Sequence, residues 1–133
     1  MTANTTVHHE QVAALHGAST PVRTRWSYRA DEPFAVTVAF CAERGRWVEW
    51  VFARDLLIDG LSRPAGIGDL RVRPGADRDS LVLEISSTGG NAVFELDRES
   101  TEEFLATTLT LVPAGDEDDY FDADRLVEEI SQA

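Results

Sequence analysis

The sequence predicts an antiparallel α+β domain: mostly strands, one short helix after the fourth strand, and helices at the C-terminus. Three observations predict it. Apolar residues alternate at period two in several runs between residues 23 and 96, as half-buried strands require. Turn-forming residues separate those runs at hairpin spacing. Beyond Asp97 the apolar spacing changes to that of a helix. No repeat or low-complexity linker interrupts the 133 residues, so one domain spanning 1–133 with a shared core is expected.

Taken in order, residues 5–15 admit two readings. Val7, Val12 and Leu15 fit a weak helix, whereas Thr5, Thr6 and Val7 have strand character; a strand followed by a loop is preferred. In 23–29, Thr24, Trp26 and Tyr28 share one face, leaving Arg23, Arg25 and Arg29 for the other. Asp31, Glu32 and Pro33 make a turn. Phe34, Val36, Val38 and Phe40 then alternate, and Glu43 to Gly45 connect them tightly to a second run. There Val48, Trp50 and Phe52 face one way and Trp47, Glu49 and Val51 the other, so the two runs should form a hairpin.

Residues 54–59 are too few for an independent helix and need packing of Leu56, Leu57 and Leu61. Gly60 suits a helix stop. A strand over 70–73 closes at Pro74 and Gly75. A second hairpin follows, with Leu81, Leu83 and Ile85 outbound, a turn over 87–91, and Ala92, Phe94 and Leu96 returning. Ser100 with Glu103 has capping-box spacing, and Phe104, Leu105, Thr108, Leu109 and Val112 lie along one helical side. Residues 113–115 end that helix, and 116–119 read as a solvated acidic connection. Asp122 would cap a last short helix with an apolar stripe of Leu126, Val127 and Ile130 and acids near its positive end.

Charge is distributed unevenly. Residues 1–94 hold 10 Arg against 11 acids, while 95–133 hold 2 Arg against 13 acids, and no Lys occurs anywhere. The formal net charge is -12. Nucleic-acid binders need a basic surface to displace counterions, so polynucleotides and anionic membranes are poor partners; the nearly neutral body leaves room only for a local Arg patch. No run approaches the roughly 18–20 apolar residues of a membrane span, and the polar start does not read as a secretory signal. A cytoplasmic setting is expected, with no direct membrane insertion. The single Cys41 sits in an apolar run and reads as a small buried hydrophobe.

Catalytic and metal motifs are wanting. His8, His9 and His16 match no zinc spacing. The acidic run 116–124 fails the calcium-loop pattern, because Phe121 stands at the glycine position and Val127 at the terminal glutamate position. Gly66 and Gly68 lack the third glycine and following helix of a phosphate loop; a sharp turn with positive φ is the better reading. No nucleophile elbow is present, and no histidine stands near Ser62, Ser80, Ser86 or Ser87. Neither enzymatic activity nor a cofactor is expected. Trp26 and Trp50 read as core and Trp47 as partly covered by a helix. Against that stands a binding reading, in which Trp47 or Val51 contributes to a protein interface. Arg54 and Asp55 serve either the strand-to-helix turn or a partner, and Arg63 with Pro64 either a rigid loop or a presented one.

Several blocks together resemble the SsgA-like proteins, small actinomycete regulators of sporulation and cell division. These are residues 31–36, the run from Val48 to Leu57, Gly60 with Leu61, Pro64, and Gly66 with 68–72. The likeness runs from about Val22 to Ala133; residues 1–20 match weakly, and 113–133 form the acidic C-terminal segment. Ala65 and Ile67 depart from the more polar residues expected in the loop. The SsgB-type branch is the best fit. The resemblance implies a whirly-like fold of two roughly perpendicular antiparallel sheets, a homotrimer, and a non-catalytic role in sporulation-specific septation. It further implies location at the division septum, binding of the tubulin-like GTPase FtsZ, promotion of FtsZ assembly, and an SsgA-type paralogue as partner. A single-stranded nucleic-acid module of whirly-like fold is the alternative.

Overall fold

A computed structural model describes residues 6–66, 68–121 and 123–131. Seven strands run β1 (Thr6–Leu15), β2 (Val22–Arg29), β3 (Ala35–Cys41), β4 (Trp47–Ala53), β5 (Leu70–Pro74), β6 (Ser80–Ser87) and β7 (Gly90–Asp97). The helices are α1 (Arg54–Gly60), α2 (Arg98–Leu111), α3 (Glu117–Tyr120) and α4 (Ala123–Ser131). The strand order is β4-β3-β2-β1-β7-β6-β5, and every pairing is antiparallel. Both expected hairpins are present, β3 with β4 and β6 with β7. The short helix follows the fourth strand, as expected.

β1 joins the two halves of this sheet. Thr6 to Ala13 pair with β2, and Ala14 and Leu15 then pair with β7. This long strand replaces the short strand and loop expected there. Its inward residues include His9 and Gln11, whose polarity hides the alternation. Both find partners on α2: His9 Nε2 and Ser100 Oγ share a 2.7 Å hydrogen bond, and Gln11 Nε2 donates to Thr101 Oγ1 at 3.0 Å.

The core lies between the two halves and under α2. Trp26 meets Phe52 edge-on at 6.2 Å and Phe104 at 5.8 Å, and Phe40 stacks on Phe94 at 4.4 Å across the halves. Trp26 also donates from Nε1 to Thr24 Oγ1 at 2.9 Å, which satisfies its one polar group. Trp50 packs against this core but is only half-buried, as is Cys41. Both are less enclosed than the sequence suggested.

Two helix ends differ from expectation. Asp97, not Ser100, caps α2: its carboxylate accepts from Ser100 N at 2.9 Å. Gly60 is no left-handed stop, since α1 continues into Leu61 with αR geometry. A side chain at 60 would collide with Val72, so this glycine lets α1 lie directly on β5. Asp122 and the side chain of Leu126 lie outside the described residues. Val127 and Ile130 of α4 are 62% and 65% exposed, so that apolar stripe faces solvent. Among the described residues no helix is long and apolar enough to cross a membrane.

Candidate partner-binding face and the buried arginine behind it

Alternation turns Trp47, Glu49 and Val51 away from the core, onto the outer face of the β1–β4 half. Register then sets their neighbours. Glu49, Ala39, Arg25 and Glu10 form one row across four strands, and Val51, Thr37, Ser27 and His8 form the next. The small residues in the middle leave a shallow hollow of about 300 Å³, walled by Trp47, Arg25, Glu49 and His8. Val51 is 64% exposed beside it.

Trp47 is covered by arginines, not by the expected helix. The Arg25 guanidinium lies 4.1 Å from the indole centroid and that of Arg23 lies 5.6 Å away. Glu10 stands 3.7 Å from Arg25 Nε and 3.9 Å from Arg23 Nη2. Each such exposed ion pair contributes little, but together with the cation–π contacts they hold the two guanidiniums against the ring. The sequence had placed Arg23 and Arg25 opposite the Trp26 face; their meeting with Trp47 depends on the order β4-β3-β2.

Arg54 is the main correction among the candidate binding residues. It begins α1, yet its side chain turns inward and is 1% exposed. Nη1 donates to the carbonyls of Thr108 and Val112 at 3.1 and 2.8 Å, and Nη2 to Glu117 Oε2 at 3.0 Å. The guanidinium also sits 4.9 Å from the Tyr28 ring. A cation at the C-terminal carbonyls of α2 is well placed against the helix dipole. The second Glu117 oxygen accepts from Gly115 N at 2.8 Å. Arg54 thus ties α2 and α3 to the first half of the sheet, and no partner can reach it. Glu117 belongs to the acidic run expected to be solvated, and it is instead buried in this pairing.

The electrostatics follow. Hydrogen bonding to its own backbone N–H, and then to Arg54, holds the Glu117 carboxyl below the usual range. Burial pushes the Tyr28 hydroxyl up to about 12, and that hydroxyl donates to Pro33 O at 2.8 Å.

The other candidates remain on the surface. Asp55 is exposed on α1, and Arg63 and Pro64 are exposed on the loop beyond it, with Arg63 Nη2 4.0 Å from Asp59. That loop turns through Gly66 and Gly68 at φ of 113° and 85°, as their spacing suggested. It then returns along β5, where Ala65 and Val72 exchange backbone hydrogen bonds of 2.8 and 2.9 Å. The six candidates therefore do not form one cluster. Trp47 and Val51 share the outer face, Asp55, Arg63 and Pro64 line α1 and its loop, and Arg54 is interior. Among the described residues no group of three or more His, Cys, Asp or Glu could hold a metal ion.

Comparison with known proteins places this geometry in a family. The family described as Streptomyces sporulation and cell division protein, SsgA, matches residues 22–117. A sporulation-specific cell division protein SsgB from Saccharopolyspora erythraea is 44% identical over 105 residues, 78% of this chain and 74% of that one. The SsgB of Streptomyces coelicolor is 39% identical over 127 residues, 92% and 93% of the two chains. A solved structure from work on SsgB mutations that correlate to longitudinal cell division in Streptomyces coelicolor superimposes with a TM-score of 0.82. It is 39% identical, covering 89% of this chain and 97% of its own. An SsgA-like sporulation-specific cell division protein from Thermobifida fusca gives 0.84 at 35% identity, covering 97% and 98%. The chain belongs to the SsgA family of sporulation and cell division proteins, among relatives of the SsgB type.

Proposed function

We propose that this protein is a non-catalytic scaffold of sporulation-specific cell division, recruiting FtsZ to septum sites and promoting its assembly. The observation that carries the reading is the kinship itself. Six proteins named sporulation-specific cell division protein SsgB match at 37% to 44% identity over most of this chain. A fold with a whole sheet face turned outward supports it. Trp47 and Val51 on that face, with Asp55, Arg63 and Pro64 on α1 and its loop, are the residues we assign to partner contact. The protein would act in the cytoplasm at the division septum, as a homotrimer of whirly-like protomers and with an SsgA-type protein as second partner.

Co-sedimentation tests this. Purified protein added to FtsZ with GTP should raise the polymer fraction in the pellet and appear there itself; an unchanged pellet with the protein left in the supernatant would reject the scaffold. The rival reading, a single-stranded nucleic-acid module, needs aromatic platforms in a basic groove. Here the net charge is -12, and the outward tryptophan is already roofed by arginine. A gel-shift titration at low salt should show no micromolar binding.

A further inference from the structure

The two edges of the sheet are treated differently. β5 is guarded: Ala65 from the preceding loop bonds both ways to Val72, and Pro74 ends the strand. Loops, prolines and charges are the usual means of blunting an edge. β4 has none of these over Trp47–Ala53, save the one charge of Glu49. Val48 and Val51 are 37% and 64% exposed along it.

Antiparallel pairing fixes which backbone groups of β4 take no part in the ladder to β3. Ala42 N donates to Arg46 O at 2.6 Å and Arg54 N to Phe34 O at 2.8 Å. The ladder to β3 therefore engages the even-numbered residues of β4. By alternation the N–H and C=O groups of Trp47, Glu49 and Val51 point outward from the edge. Their side chains are the ones on the outer face, so main-chain pairing and side-chain contact fall on the same three residues.

Resting on the scaffold reading above, we propose that β4 is a strand-addition site. It receives an extended segment of a partner protein with a basic residue at its centre and apolar β-branched residues two positions to either side. The charge of β4 selects the occupant. A second copy pairing antiparallel over all three residues would set Glu49 beside Glu49 of its mate, and like charges directly opposite are unfavourable. A central Arg or Lys faces Glu49 instead, and apolar neighbours lie against Trp47 and Val51. The net charge of -12, most of it carried by residues 95–133, favours the approach of a basic segment.

The probe is a capped peptide of alternating Thr and Val with a central Arg, compared with the same peptide carrying central Glu. Hydrogen exchange on the full chain should slow about tenfold or more at the amides of Trp47, Glu49 and Val51, while those of Val48 and Trp50, already bonded, change little. The Glu peptide should bind about fivefold more weakly, and Glu49→Lys should reverse that order. Val51→Pro removes an outward N–H without touching the β3 ladder; a proline is tolerated on an edge. This variant should keep its melting temperature and lose about tenfold in peptide affinity. Methylating the peptide nitrogens on one edge should abolish binding, and on the other should leave it intact. Absence of protection, indifference to methylation, or full binding by folded Val51→Pro would overturn the proposal. If wild type raises the FtsZ pellet and Val51→Pro does so equally, the edge proposal falls and the scaffold stands. If wild type binds the peptide at the edge but leaves the pellet unchanged, the reverse holds.

Discussion

Arg54 carries a full charge where almost no water reaches, so its partners decide the stability of the C-terminal half. Two carbonyls of α2 and the Glu117 carboxylate meet it, while its Nε finds no partner among the described residues. Breaking a buried charge pair by removing one member costs about 3 kcal/mol or more. Arg54→Met should accordingly lower the melting temperature by roughly 10 °C, read by thermal circular dichroism; a shift under ~3 °C would show that the pairing is dispensable. The pH dependence has two arms of opposite sign. The Glu117 carboxyl is held below its unfolded value of 4.5, so the unfolded chain takes up the proton first as pH falls. Stability present above 4.5 is then lost toward the lower folded value. Tyr28 keeps its proton up to about 12, whereas the unfolded chain releases it near 10. Stability present below 10 therefore declines as pH rises from 10 toward 12. Glu117→Gln should flatten the acid arm of a urea-midpoint profile, and Tyr28→Phe the alkaline arm.

At the scale of elements, how legible each segment was depended on whether its inward residues were apolar. β3 and β6 could be read directly, because Val36, Val38, Leu81 and Leu83 are both apolar and buried. β1 could not, since two of its inward positions are His9 and Gln11, and their partners Ser100 and Thr101 lie about ninety residues away. α2 starts three residues earlier than the capping-box spacing predicts, for a local reason. Ser100 and Glu103 have capping-box spacing, but Asp97, which ends β7, sits three residues before Ser100 and reaches its N–H first. Removing an N-cap acid costs about 1 kcal/mol. Asp97→Ala should lower the unfolding free energy from urea titration by that amount, whereas Ser100→Ala loses the hydrogen bond to His9. If the Ser100 change proves the more damaging, the cap assignment is wrong.

For the whole molecule, the decisive contacts join parts of the chain that carry no mutual signal in sequence. Arg54 reads as one more charge on a surface turn; only folding brings it to Glu117, 63 residues on. The same holds for Trp47 under Arg25. The family match ends at Glu117, the residue that closes the Arg54 pairing. Beyond it, every described side chain of α4 is exposed, and the buried core ends at Val112. The cooperative unit should therefore end near Glu117, with α4 lying outside it. Deleting 123–133 should move the melting temperature by less than about 2 °C, although it removes several acidic charges. Adding Glu117→Ala to that deletion strips Arg54 of its carboxylate partner, and the doubly altered chain should melt nearly as low as Arg54→Met. If the shorter deletion alone costs as much as that substitution, α4 packs on the body of the domain, and the exposed Val127 and Ile130 are then part of its fold.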